Sequence, residues 1–165
     1  MAKTLLLLRH AQAEDTRPGH RDAHRQLTAT GREQAAAVGR WLAEHHRVDA
    51  VLCSPAVRAR ETLAELGTGA PAEERDELYD AGSDTIAALI RELPAEVGTA
   101  LVVGHAPGIP ALARDLADPD RSDPAALAVL GSRFPAAALA VLEFEGEWGD
   151  LATAALSGLR LPTDQ

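Results

Sequence analysis

Apolar positions in this chain fall into short continuous runs separated by amphipathic stretches. Leu5-Leu6-Leu7-Leu8 leads straight into Arg9 and His10, residues 48–53 form a second run, and Ala100-Leu101-Val102-Val103 a third. Runs of this length bounded by polar residues suit strands buried on both faces, although a buried helical segment gives the same pattern. Between them the spacing changes to that of a helix. Val38, Trp41, Leu42 and His45 make one stripe, and Ile86, Leu89, Ile90 and Leu93 another.

Local signals set expected boundaries. A strand is predicted over 4–10. Thr30 and Glu33 read as a capping box opening a helix. Ser54 as N-cap and Pro55 as the first helical residue predict a helix to Leu66, stopped by Gly67 and Gly69. Asp84 is expected to cap a helix that runs to Leu93 and ends at Pro94. A strand over 99–104 precedes a helix over 107–118 and a short helical piece over 124–130. Two strands, 138–144 and 148–154, are predicted to close the chain around Glu145-Gly146-Glu147. Residues 12–26 and 67–83 read as loops, the second with a short strand before Leu78.

Strand and helix alternate along most of this order. That predicts an α/β fold: a three-layer α/β/α sandwich, its central sheet mostly parallel with an antiparallel edge strand. The length of 165 residues suits a single domain over 1–165. In such a sheet, ligands bind beyond the carboxyl ends of the strands. Arg9-His10 ends the first strand, Ser54-Pro55 and then Arg58 follow the second, and Gly104-His105 ends the third. Two histidines and at least two arginines would therefore converge. A neutral imidazole can attack phosphorus, and arginines hold phosphoryl oxygens as a fork while offsetting transition-state charge. His10 is the expected nucleophile.

Composition narrows the partners. With 25 acidic against 16 basic residues the net charge is -9, the wrong sign for a nucleic-acid binder. No apolar run approaches the roughly 20 residues of a membrane span, and the N-terminal run is too short for a signal peptide. A single cysteine, Cys53, allows no internal disulfide and fits the cytoplasm. No spacing resembles a metal site, so neither metal nor cofactor is expected.

Four stretches together resemble the histidine phosphatase superfamily, also called phosphoglycerate mutase-like. They are Leu8-Arg9-His10-Ala11, Leu27-Thr28-x-x-Gly31-x-x-Gln34-Ala35, Ser54-Pro55-x-x-Arg58-Ala59-x-x-Thr62, and Val103-Gly104-His105. Ala11 stands where the family usually has glycine. The small size, Arg25 two residues before Leu27-Thr28, and Glu77-Leu78 followed by Gly82 resemble the SixA-type phosphohistidine phosphatase branch. The resemblance implies that His10 is phosphorylated during turnover. Arg9, Arg58 and His105 would form the phosphate pocket, with Arg25 as an extra ligand. It places Glu77 as proton donor, with Asp80 as a rival. The implied substrate is a phosphorylated protein or a small phosphorylated compound. A small-molecule phosphomonoesterase, a mutase or a non-catalytic phosphate-binding module are the competing readings. No role is assigned to His20, His24 or Arg21.

Overall fold

Strand β1 (Ala2–Arg9) is the axis of the structure, a computed structural model that describes residues 1–162. Leu5 to Leu8 are fully buried because layers cover both faces of the strand: Leu5 and Leu7 join one core cluster, Leu6 and Leu8 the other. The elements that follow are α1 (Ala29–His45), β2 (Ala50–Cys53), α2 (Val57–Leu66), β3 (Ala72–Glu74), α3 (Ser83–Arg91), β4 (Thr99–Gly104), α4 (Gly108–Leu116), α5 (Pro124–Ser132), β5 (Leu139–Glu145) and β6 (Ala155–Arg160). One six-stranded sheet has the order β3-β2-β4-β1-β5-β6. The pairs β1/β4, β2/β4 and β2/β3 are parallel, while β5 runs antiparallel to both β1 and β6. The antiparallel pairings thus occupy one end of a mostly parallel sheet.

Parallel pairing brings the strand ends together. Arg9 lies opposite Gly104 in the β1/β4 register, and Cys53 opposite Val103 in β2/β4. His10, Ser54 and His105 therefore leave the sheet at one edge. Among the described residues no helix is long and apolar enough to cross a membrane.

Several boundaries differ from those the sequence predicts. Thr28, not Thr30, caps α1, accepting from the Gly31 amide at 3.0 Å. Ser54 does not cap α2, which starts at Val57 and has no side-chain cap; the Ser54 hydroxyl accepts from the Ala56 amide and reaches His105 instead. Asp84 lies inside the first turn of α3 behind Gly82. The last strand is displaced to 155–160 because Trp148 turns inward. It is fully buried, donates Nε1–H to the Val97 carbonyl at 2.8 Å and packs edge-on against Phe144, so residues 148–150 form a 3-10 turn.

The first helix also seats the chain beyond His10. A Cβ on Gly31 would lie 2.0 Å from the Gln12 carbonyl oxygen. Gln34 Oε1 accepts from the Gln12 amide at 3.0 Å, and the Thr28 amide donates to the Gln12 carbonyl at 3.1 Å. Gly31 thus permits backbone contact that no side chain allows. Gly31→Ala is expected to cost about 1–3 kcal/mol or more of stability, read as a lowered denaturation midpoint.

Candidate active site

His10 continues β1 by one residue. Its amide donates to the Gly104 carbonyl at 2.9 Å and its carbonyl accepts from Ala137, so the backbone is fixed on both sides. The residue is 7% exposed. Its Nδ1 lies 2.7 Å from the Ala11 carbonyl oxygen, which can only accept. Nδ1 therefore carries the proton, and Nε2 keeps its lone pair. That lone pair faces Arg58 Nε, which donates to it at 3.3 Å.

Arg58 sits in the first turn of α2, and its two terminal nitrogens are spent on one residue. They donate to the Asp22 carbonyl at 2.9 Å and to Asp22 Oδ2 at 3.0 Å. Asp22 also accepts from Arg25 Nε at 2.9 Å and from the Tyr79 hydroxyl at 2.5 Å. Three donors on one carboxylate hold its pKa down to about 2, Tyr79 being the largest cause, so Asp22 is ionised at neutral pH.

His105 follows β4. Its ring centroid is 5.1 Å from that of His10, and its Nε2 is 2.8 Å from Ser54 Oγ. The one other hydrogen bond of Ser54 Oγ among the described residues is the one it accepts from Ala56, so His105 Nε2 is the acceptor open to its proton, which leaves the His105 proton on Nδ1. That Nδ1 is buried with no partner among the described residues, as is Arg9 Nε. Arg9 donates from one terminal nitrogen to the Phe134 carbonyl at 3.0 Å.

Burial is the chief reason that both imidazoles resist protonation. It lowers the pKa of His10 to about 3, against an opposing pull from the Ala11 carbonyl, with His105, Arg58 and Arg9 lowering it further. His105 is lowered to about 4 by burial and then by Arg58. Both rings are thus neutral near pH 7. If His10 supplies the nucleophile, kcat/KM should hold from about pH 8 down to about pH 4 and fall as the solution approaches pH 3. Stability has the same sign. Below the ordinary value of 6.5 the unfolded chain takes up protons that these folded imidazoles refuse, so stability falls with pH through that window. A pH series of rates and of denaturation midpoints measures both.

The structure brings His10, Arg58 and His105 together as the sequence suggests, with the buried Arg9 at the end of the same strand. Arg25 joins through Asp22 and also donates to the Glu14 carbonyl at 2.7 Å. Glu77 makes no hydrogen bond or ion pair with this group among the described residues. Its carboxylate is exposed, accepts from Arg75 at 2.8 Å, and is held below the ordinary carboxylate range by that bond. Asp80 is exposed at the rim with a left-handed backbone, φ 59°. His20, His24 and Arg21 are exposed on the loop. Gly108 lets that rim close: a Cβ there would be 2.2 Å from the Ala81 carbonyl oxygen. Asp22 and Tyr79 were not evident from sequence. The sole hint was an acid three residues before Arg25 in an arginine-rich loop.

An α/β sheet with a buried neutral histidine at a strand end, ringed by arginines and a second histidine, defines a class. The chain belongs to the histidine phosphatase superfamily: the model of its branch 1 matches residues 5–85. Within it the chain groups with SixA-type proteins. A candidate phosphohistidine phosphatase SixA from Nakamurella multipartitia is 42% identical, covering 99% of this chain and 98% of that one, with a TM-score of 0.89. Another candidate SixA, from Agrobacterium tumefaciens, is 31% identical over 97% of this chain and 98% of that one, with a TM-score of 0.82. The protein histidine phosphatase SixA complexed with tungstate is 25% identical over 94% and 95%, with a TM-score of 0.74.

Proposed function

We propose that the chain is a protein phosphohistidine phosphatase working through a phosphoryl group carried on His10. The observation that supports this best is the tautomer of His10: proton on Nδ1, free lone pair on Nε2, in a ring too buried to protonate. Nε2 attacks phosphorus, and the bond from phosphorus to the substrate nitrogen breaks with its electron pair going to the leaving imidazole. The His10 ring gains positive charge, which the Ala11 carbonyl stabilises through Nδ1–H. Water then attacks phosphorus, phosphate departs, and His10 regains its lone pair. Arg58, Arg9 and His105 serve as donors to the phosphoryl oxygens. The unpaired Arg9 Nε and His105 Nδ1 are supplied with acceptors when the anion arrives.

The leaving group argues for phosphohistidine over an alkyl phosphate. An imidazole protonated on its far nitrogen leaves as a neutral molecule and needs no strong acid, whereas an alkoxide does. Asp22 is ionised, and Glu77 is ion-paired with Arg75. Arginine cations take the charge-offsetting role, so the proposed activity needs no metal. A cytoplasmic setting belongs to the same reading and rests on the single, buried Cys53.

A kinetic panel tests this. A phosphohistidine peptide should give a higher kcat/KM than sugar phosphates, aryl phosphates and nucleotides, with vanadate inhibiting and EDTA having no effect. A clear preference for a sugar phosphate would overturn the substrate assignment.

A further inference from the structure

The nucleophile's tautomer depends on the carbonyl of Ala11, a residue that must itself be held. The Ala11 amide donates to Thr62 Oγ1 at 3.0 Å. Thr62 is fully buried in α2, one turn beyond Arg58, and its hydroxyl donates to the Arg58 carbonyl at 2.7 Å. With its proton committed there, the hydroxyl oxygen can only accept from Ala11. Both directions of the bond are therefore fixed. One side chain ties the peptide after the nucleophile to the backbone of the residue bearing the principal arginine, 48 positions away from His10.

We infer that Thr62 is a positioning residue for catalysis: it anchors Ala11 by its amide, so that the carbonyl on the other side of the same residue keeps the His10 proton on Nδ1. The inference rests on His10 being the nucleophile. Thr62 touches neither the ring nor a bound phosphate, so its effect must pass through Ala11. Loss of the hydroxyl leaves a buried amide without a partner, and the backbone of Ala11 can shift to find one. As Ala11 shifts, its carbonyl moves off Nδ1, and the Nε2–H tautomer, which cannot attack phosphorus, gains population.

Thr62→Val keeps the volume and removes both hydrogen bonds, whereas Thr62→Ser retains them. Thr62→Val is expected to lower kcat about tenfold or more with KM changed less than about twofold, and Thr62→Ser to restore most of the rate. Nitrogen-15 NMR of the imidazoles should show His10 protonated on Nδ1 in the wild type and a larger Nε2–H share in Thr62→Val. Wild-type kcat in Thr62→Val, or a wild-type His10 carrying its proton on Nε2, would overturn the inference. If Thr62→Val does not fold, the wild-type tautomer and the comparison of Thr62→Ser with Thr62→Ala decide: equal rates for those two variants also overturn it. The tautomer measurement needs no turnover, so inactivity on phosphohistidine would sink the proposed substrate without touching this test.

Discussion

Alanine in place of His10 is expected to lower kcat by about 10⁴-fold or more, because in the proposed mechanism it removes the atom that bonds phosphorus. The fold should survive, since the strand behind it is held by pairing with β4 and β5 rather than by the imidazole. Quenching the wild type in alkaline denaturant during turnover should trap a phosphoryl group on the protein that is stable to base and labile to acid, and His10→Ala should yield none. The alternative nucleophile is His105, also neutral and with its ring 5.1 Å away. The two differ in what holds Nε2. In His105 that atom accepts from Ser54 at 2.8 Å, a bond it would have to give up. In His10 it faces an arginine donor at 3.3 Å that can pass to a phosphoryl oxygen as phosphorus takes the lone pair. His105→Ala should therefore slow turnover and still form the adduct. An adduct formed by His10→Ala and lost in His105→Ala would reverse the assignment.

The strands were readable because their signal is local. Leu5–Leu8 and Ala100–Val103 are buried on both faces, and nothing but a sheet interior uses such runs here. Their parallel register then placed His10, Arg58 and His105 at one edge without knowledge of any contact. Caps were misread where a tertiary partner took the capping group. Ser54 looks like an N-cap, but its hydroxyl is claimed by His105, 51 positions away. Trp148 reads as the start of a strand until the Val97 carbonyl, equally distant in sequence, draws it inside. Glu77 is held in an ion pair by Arg75, a partner that its place in the sequence does not reveal. Asp22 was hidden for the opposite reason: its partners Arg58 and Tyr79 lie 36 and 57 positions along the chain, and no periodicity links them. Pattern thus located the two histidines and the arginines that meet at the strand ends, while the groups that orient them needed the fold.

Arg58 carries the second large effect. Its guanidinium works in three directions at once: Nε toward His10, one terminal nitrogen on the Asp22 carbonyl and the other on the Asp22 carboxylate. A lysine ammonium keeps the charge and cannot hold that planar geometry. Arg58→Ala is expected to lower kcat about 10³-fold and Arg58→Lys about 10²-fold. Asp22→Asn keeps an acceptor and loses the charge that braces the fork, so a milder loss of about tenfold is expected. The pH profile separates positioning from electrostatics. Burial is the largest cause of the low His10 pKa and Arg58 a smaller one, so the acid limb should move little in Arg58→Ala while the plateau drops. A variant that shifted the acid limb strongly and left the plateau intact would show Arg58 acting on the protonation of His10 rather than on the phosphoryl group.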